Sequence, residues 1–177
     1  MSEYAYESLV VDIPDYPEPG VVFKDITPIL SDADALKAMV EQLGDHFRGC
    51  GATKVMGAEA RGFLVGVPVA YYLGLGFVPA RKPGKLPREV YRQEYELEYG
   101  TDSIEIHRDA LAPGDRVLVI DDLVATGGTA VAAAKLVEQA GAEVVGFGFL
   151  MELEFLKPRE AVAKEFDQEL YSLIKVR

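Results

Sequence analysis

The run "RVLVID", Arg116–Asp121, most limits how this chain can fold. Val117, Leu118, Val119 and Ile120 leave no polar face for water, so a strand made of them is covered on both sides. Helices packed on both faces of a mostly parallel sheet give that cover, and such sheets come from alternating strands and helices. The flanking segments follow this alternation. Leu36, Met39, Val40, Leu43 and Phe47 recur at helical spacing and predict an amphipathic helix over about 33–48, opened by a capping-box-like Ser31 and Asp34. "TKVMGAEARGF" reads as a short strand, Lys54–Gly57, then a polar turn and a helix through Tyr72. Pro68 inside that pattern predicts a bend or a late start. "GFVPARK" and "EVVGFGFLMEL" read as strands, and Gly128–Gln139 as a helix stopped by Gly141. The early segment "IPDYPEPG", with Pro14, Pro17, Pro19 and Gly20, reads as extended chain or a cap.

Between Val90 and Tyr99 the residues alternate. Tyr91, Gln93, Tyr95, Leu97 and Tyr99 fall on one face, and Arg92, Glu94, Glu96 and Glu98 on the other. With "SIEIH" following, this pattern predicts a β-hairpin or a long flap, about residues 84–106.

At the end of the apolar run stand two adjacent acids, Asp121 and Asp122, and then the loop Ala125-Thr126-Gly127-Gly128-Thr129. Glycines let backbone N–H groups converge on an anion, threonines add hydroxyl donors, and the following helix presents its positive end. Two carboxylates repel a phosphate but accept hydrogen bonds from hydroxyl groups, or hold a divalent cation through water. A ribose 5-phosphate satisfies both halves. No GxxxxGK[ST] loop is present, and Gly74-Leu75-Gly76 is too short to count as a dinucleotide fingerprint.

The remaining composition narrows the classes. The 177 residues fit a single domain, 1–177. A net charge of −11 argues against a nucleic-acid or membrane surface as partner, while leaving room for a local basic pocket. No apolar run approaches the ~18–20 residues a membrane helix needs. The N-terminus has no signal-peptide pattern, and the single cysteine, Cys50, suits a reducing cytoplasm. His46, on an exposed helix face, and His107, at a hairpin end, stand outside any metal-ligand pattern, and Cys50 reads as a packed thiol.

"VLVIDDLVATGGT" resembles the phosphoribosyl-pyrophosphate signature of the type I phosphoribosyltransferases. "PGVVFKDITPIL", "GAEARGFLVGVPVA", "FVPARKPGKLP" and "YELEYGTDSIEIH" stand around it in the order and spacing of the adenine-specific branch. The similarity runs from about Asp15 to Leu153. It implies the type I fold: an α/β sheet flanked by helices, a small N-terminal hood over about residues 1–32, and a hairpin flap. It also implies transfer of phosphoribosyl from phosphoribosyl pyrophosphate to adenine, giving AMP and pyrophosphate, with Mg²⁺ and in a homodimer.

Residue by residue, the resemblance implies that Asp121 and Asp122 hold the ribose hydroxyls and that Ala125, Thr126, Gly127, Gly128 and Thr129 bind the 5-phosphate. Arg61, Arg81, Lys82 and Lys85 would meet pyrophosphate, after a cis Glu59–Ala60 peptide. The Arg81–Lys85 segment would reach across the dimer interface. Phe23 would stack on the base, and the main chain of Val22 and Lys24 would read its edge. Glu98 would manage the imidazole proton, with Tyr99 closing the site. Mg²⁺ would be held through pyrophosphate, ribose hydroxyls and water, without direct protein ligands.

Residue type alone leaves blander readings open. Glu59 and Arg61 read as a surface pair, Arg81–Lys85 as a solvated loop, Phe23 as core packing, and Glu98 as one of a solvated row with Glu94 and Glu96. A related transferase for another base and a non-catalytic sensor of phosphoribosyl pyrophosphate are the rival functions. "GVVFK" and the flap weigh against the first, and the lack of a helix-turn-helix or basic stripe against the second. The terminal stretch "KPREAVAKEFDQELYSLIKVR" receives no role.

Overall fold

The apolar run becomes the middle strand of the central sheet in the computed structural model, which describes residues 6–97 and 100–177. The chain opens with a 3-10 turn, Tyr6–Leu9, and a two-stranded antiparallel ribbon of β1 (Val11–Pro14) and β2 (Val22–Asp25). The short helix α1 (Thr27–Ser31) and the longer α2 (Ala33–Phe47) follow. Then come β3 (Lys54–Ala58), α3 (Arg61–Leu73), β4 (Gly76–Ala80), and the hairpin of β5 (Val90–Leu97) and β6 (Gly100–His107). The chain ends with β7 (Arg116–Val124), α4 (Gly128–Gln139), β8 (Glu143–Leu153), α5 (Pro158–Ala163) and β9 (Leu170–Val176).

The central sheet has the order β4-β3-β7-β8-β9, with every neighbouring pair parallel. Successive β7 residues serve opposite layers, as a strand periodicity of two requires. Val117 and Val119 pack with Leu136 of α4 and Ile104 and Ile106 of the hairpin. Leu118 and Ile120 pack with Met39 and Leu43 of α2 and Val65 and Val69 of α3.

Several expectations need correction. Asp32, not Ser31, caps α2: its Oδ1 accepts from Ala35 N at 2.8 Å. Ser31 instead ends α1, donating to the Pro28 carbonyl at 3.2 Å. The helix carrying Pro68 begins directly at Arg61 and runs on to Leu73 as one element. The acid pair does not end its strand, since the β7–β8 ladder continues through Leu123↔Met151 to Val124↔Glu152. A ninth strand, β9, forms in the terminal stretch.

One detail opens the site. The β3–β7 ladder stops at Met56↔Val119, while β3 runs on to Ala58 and β7 to Val124. The two strands lead to opposite flanks of the sheet, β3 to β4 and β7 to β8. Ligand crevices in parallel sheets form where the strand order reverses in this way, beyond the carboxyl ends.

Candidate active site

A cavity of about 650 Å³ lies at that reversal. Ala58–Arg61 form one wall and Asp121–Ala130 the other, with Lys82 and Tyr95 from the hairpin side. Glu18, Ile104, Phe149 and Leu156 complete it.

Its floor is a helix end left without a side-chain cap. Gly127 takes φ +92° at the N-cap of α4 and contributes no side-chain hydrogen bond. The first N–H groups of a helix have no intrahelical partner, and here Gly128, Thr129 and Ala130 carry them at the cavity wall. Such a combination has the chemistry to receive an anion.

The acids face different surroundings. Asp122 is 6% exposed and receives Arg61 Nε at 2.9 Å. Asp121 Oδ1 accepts the Asp122 main-chain N–H at 2.8 Å. Burial pushes the Asp121 carboxyl well above its ordinary range, and the adjacent Asp122 charge pushes it further. The first turn of α3 packs tightly on this group. A Cβ added to Gly62 would lie 2.4 Å from Asp121 Oδ1, so any larger residue there would displace that carboxylate. Sequence reasoning missed Gly62, because its constraint comes from a strand nearly sixty residues away.

Arg61 spans both halves of the site: its guanidinium pairs with Asp122 and lies 5.1 Å from the centre of the Phe23 ring. Arg61 follows the Glu59–Ala60 peptide, which is cis, as the resemblance implied. Arg81 Nε donates to Glu59 Oε2 at 2.6 Å. Burial alone would raise the Glu59 carboxyl, but hydrogen bonds from Arg81 and the Lys82 main chain outweigh it and hold the carboxyl low. Lys82 is taken up by the hairpin, donating to Asp102 and, at 3.1 Å, to the Tyr95 hydroxyl. Lys85 N donates to the Lys82 carbonyl at 3.3 Å.

The cavity wall therefore gathers Asp121, Asp122, Ala125–Thr129, Arg61 and Lys82 from the expected set. Arg81 bonds Glu59 of the wall, the exposed Lys85 meets Lys82 through its main chain, and Phe23 meets the wall through Arg61. Val22 and Lys24 flank Phe23 in β2, where Lys24 Nζ pairs with Asp12 at 2.7 Å. Glu98 and Tyr99 lie outside the described residues. Leu156 and Glu18 were not foreseen: one sits in a single turn after β8 and the other in the Pro-rich ribbon loop, and neither carries a periodic pattern. The alternation groups Tyr95 with Tyr91 on one hairpin face without saying which way that face turns; both pack against the core.

The family model for the phosphoribosyl transferase domain matches residues 25–172. An adenine phosphoribosyltransferase of Alkaliphilus metalliredigens is 57% identical over 156 residues, covering 88% of this chain and 92% of that protein. The chain belongs to the adenine phosphoribosyltransferase family. The crystal structure of the adenine phosphoribosyltransferase from Thermoanaerobacter pseudethanolicus superposes with a TM-score of 0.91 at 52% identity, covering 96% of this chain and 97% of that one. The enzyme of Giardia lamblia, crystallised with 9-deazaadenine, gives 0.93 at 40% identity over 100% of this chain and 99% of that one. The chain thus shares its overall fold with both enzymes.

Proposed function

We propose that this cleft transfers the 5-phosphoribosyl group from phosphoribosyl pyrophosphate to adenine, giving AMP and pyrophosphate in purine salvage. The observation that carries the reading is the pairing of two carboxylates with an uncapped helix N-terminus along one wall of the cavity. Asp121 and Asp122 accept from the ribose hydroxyls, and Ala125–Thr129 surround the 5-phosphate. Displacement at the sugar carbon leaves positive charge on the ring and negative charge on pyrophosphate. Arg61 and Lys82 at the wall, backed by Arg81 and Lys85, stabilise the leaving group electrostatically.

Phe23 gives the base a face for stacking. Among the described residues β2 pairs only with β1, which leaves its other edge for the base through the main chain of Val22 and Lys24. An edge matched to the amino donor and ring acceptor of adenine leaves polar groups unpaired against a 6-oxopurine, which supports strong discrimination. The family resemblance assigns the imidazole proton to Glu98 and closure to Tyr99, on a flap spanning about residues 84–106. A hood over about residues 1–32 borders the base end.

Mg²⁺ fits this donor set as an ion carried with the substrate. Asp121 and Asp122 are hard oxygen groups beside the diol, and among the described residues no three His, Cys, Asp or Glu converge on a point. Asp121 and Asp122 would hold the ion indirectly, through substrate and water, and it would supply charge neutralisation for the leaving group.

A homodimer in the cytoplasm completes the reading. Leu64, Val67 and the 88%-exposed Tyr71 form an apolar stripe on the outer face of α3, which supports a second copy as partner. No helix among the described residues is long and apolar enough to cross a membrane.

The test is a base panel with phosphoribosyl pyrophosphate and Mg²⁺, following nucleotide formation. Adenine is expected to turn over with hypoxanthine and guanine lower by at least about 10⁴-fold in kcat/KM. Preference for a 6-oxopurine would overturn the base assignment. Ligand binding without turnover of any base would favour the sensor.

A further inference from the structure

The segment after β8 meets the phosphate loop directly. Glu152, in the last turn-ward residues of β8, is 1% exposed, and both its carboxylate oxygens are occupied. Arg159 Nε and Nη2 donate to Oε1 and Oε2 at 2.8 and 2.7 Å. Ser172 Oγ donates to Oε2 at 2.6 Å, and Arg159 Nη1 to the Leu170 carbonyl at 2.6 Å. A buried carboxylate persists only when its charge and lone pairs are satisfied in this manner. The fork therefore pins α5, of which Arg159 is the second residue, to the ends of β8 and β9.

The other side of α5 presses on Gly127. The Pro158 carbonyl oxygen, Ala161 Cβ and Val162 Cγ2 lie 3.2, 3.3 and 3.4 Å from where a Cβ on Gly127 would stand. Val124, the last β7 residue before the loop, is in register with Glu152 itself. One buried acid thus supports the loop twice, through the ladder and through α5.

We propose that Arg159 and Glu152 are positioning residues for the 5-phosphate, holding α5 against Gly127 and so fixing the directions of the loop amides. This rests on the reading of Ala125–Thr129 as the phosphate cradle. Main-chain donors have no rotamers with which to recover a lost alignment, so their support decides their fit.

The experiment compares Arg159→Met, which keeps length but loses the fork, with Arg159→Lys, which keeps the charge. Steady-state constants and ribose 5-phosphate affinity by calorimetry are measured below each variant's melting temperature. Arg159→Met is expected to raise KM for phosphoribosyl pyrophosphate and weaken ribose 5-phosphate by about tenfold, the scale of losing a supporting contact. KM for adenine stays unchanged, and Arg159→Lys recovers part of the loss. A lowered melting temperature with both phosphate-dependent constants at parental values would overturn the proposal.

Should Arg159→Met fail to fold, Ala161→Gly removes only the methyl group against Gly127. The same selective rise in KM is expected, and unchanged constants would overturn the proposal. Thr129→Ala separates the two claims. If it leaves ribose 5-phosphate affinity intact, the cradle reading falls and the proposal with it. If it weakens that affinity while Arg159→Met does not, the cradle stands and the brace alone is rejected.

Discussion

Asp121 and Asp122 are neighbours in one strand, yet only Asp122 has a guanidinium at 2.9 Å. Burial, and then the Asp122 charge, hold the Asp121 carboxyl well above the ordinary value of 3.8. A raised acid binds more protons in the folded state than in the unfolded one. Stability therefore falls as pH rises from about 3.8 through the raised value, and the cost persists at neutral pH. Asp121→Asn is expected to raise the melting temperature at pH 7 by roughly 2–4 °C, the shift that about 1 kcal/mol gives at this length. Scanning calorimetry across pH should show the gain vanish as pH approaches 4. The same change should weaken ribose 5-phosphate about tenfold or more, since one of the two acceptor oxygens becomes an amide N–H donor. A residue that costs stability in this way looks misplaced when read only as part of a strand, and the ribose-binding role proposed for it accounts for the cost.

Helix α3 docks on the sheet through glycine, on β7 at Gly62 and on β4 at Gly66. Gly62→Ala would place a methyl 2.4 Å from Asp121 Oδ1, and Gly66→Ala would place one 2.7 Å from Phe77 Cε2. Both overpack the interface and should cost about 1–3 kcal/mol. Only Gly62→Ala is expected to raise KM for phosphoribosyl pyrophosphate as well, because only there does the clash displace a carboxylate of the site. Thermal unfolding and steady-state kinetics on the two variants separate these effects, and equal KM changes would refute the distinction. At this scale the sequence was legible where one signal dominated. β7 and α4 announced themselves through an unbroken apolar run and a glycine turn. β9 did not, because its buried positions Leu170, Ser172 and Ile174 include a serine whose partner is Glu152. The α2 cap was misread because Ser31 and Asp32 are both good caps, and only the geometry shows which oxygen reaches Ala35. Motif residues were legible one by one. Their mutual contacts, such as Lys82 with Asp102 and Tyr95 or Arg61 with Phe23, join distant segments and leave no local pattern.

For the whole molecule, net charge and binding chemistry point in opposite directions. In a chain of net charge −11, Arg61 and Lys82 stand at one crevice and Arg81 bonds Glu59 of its wall, a local basic cluster that the proposed anionic substrate requires. The apolar stripe on α3 carries the prediction at this scale. Light scattering should give twice the 19.3 kDa chain mass, and Leu64→Glu with Tyr71→Glu should reduce it to a single chain. A doubly substituted protein that remains dimeric would exclude this face as the interface. The phosphate loop also bears on affinity through entropy. Only Ala125, Thr126 and Gly127 separate the last residue of β7 from the first of α4, so the span is anchored at both ends. Ordering a free residue costs about 1–2 kcal/mol of backbone entropy. A three-residue span already held by a strand, a helix and the α5 brace has little of that freedom left to lose when an anion arrives. The contacts it makes then count almost in full toward binding.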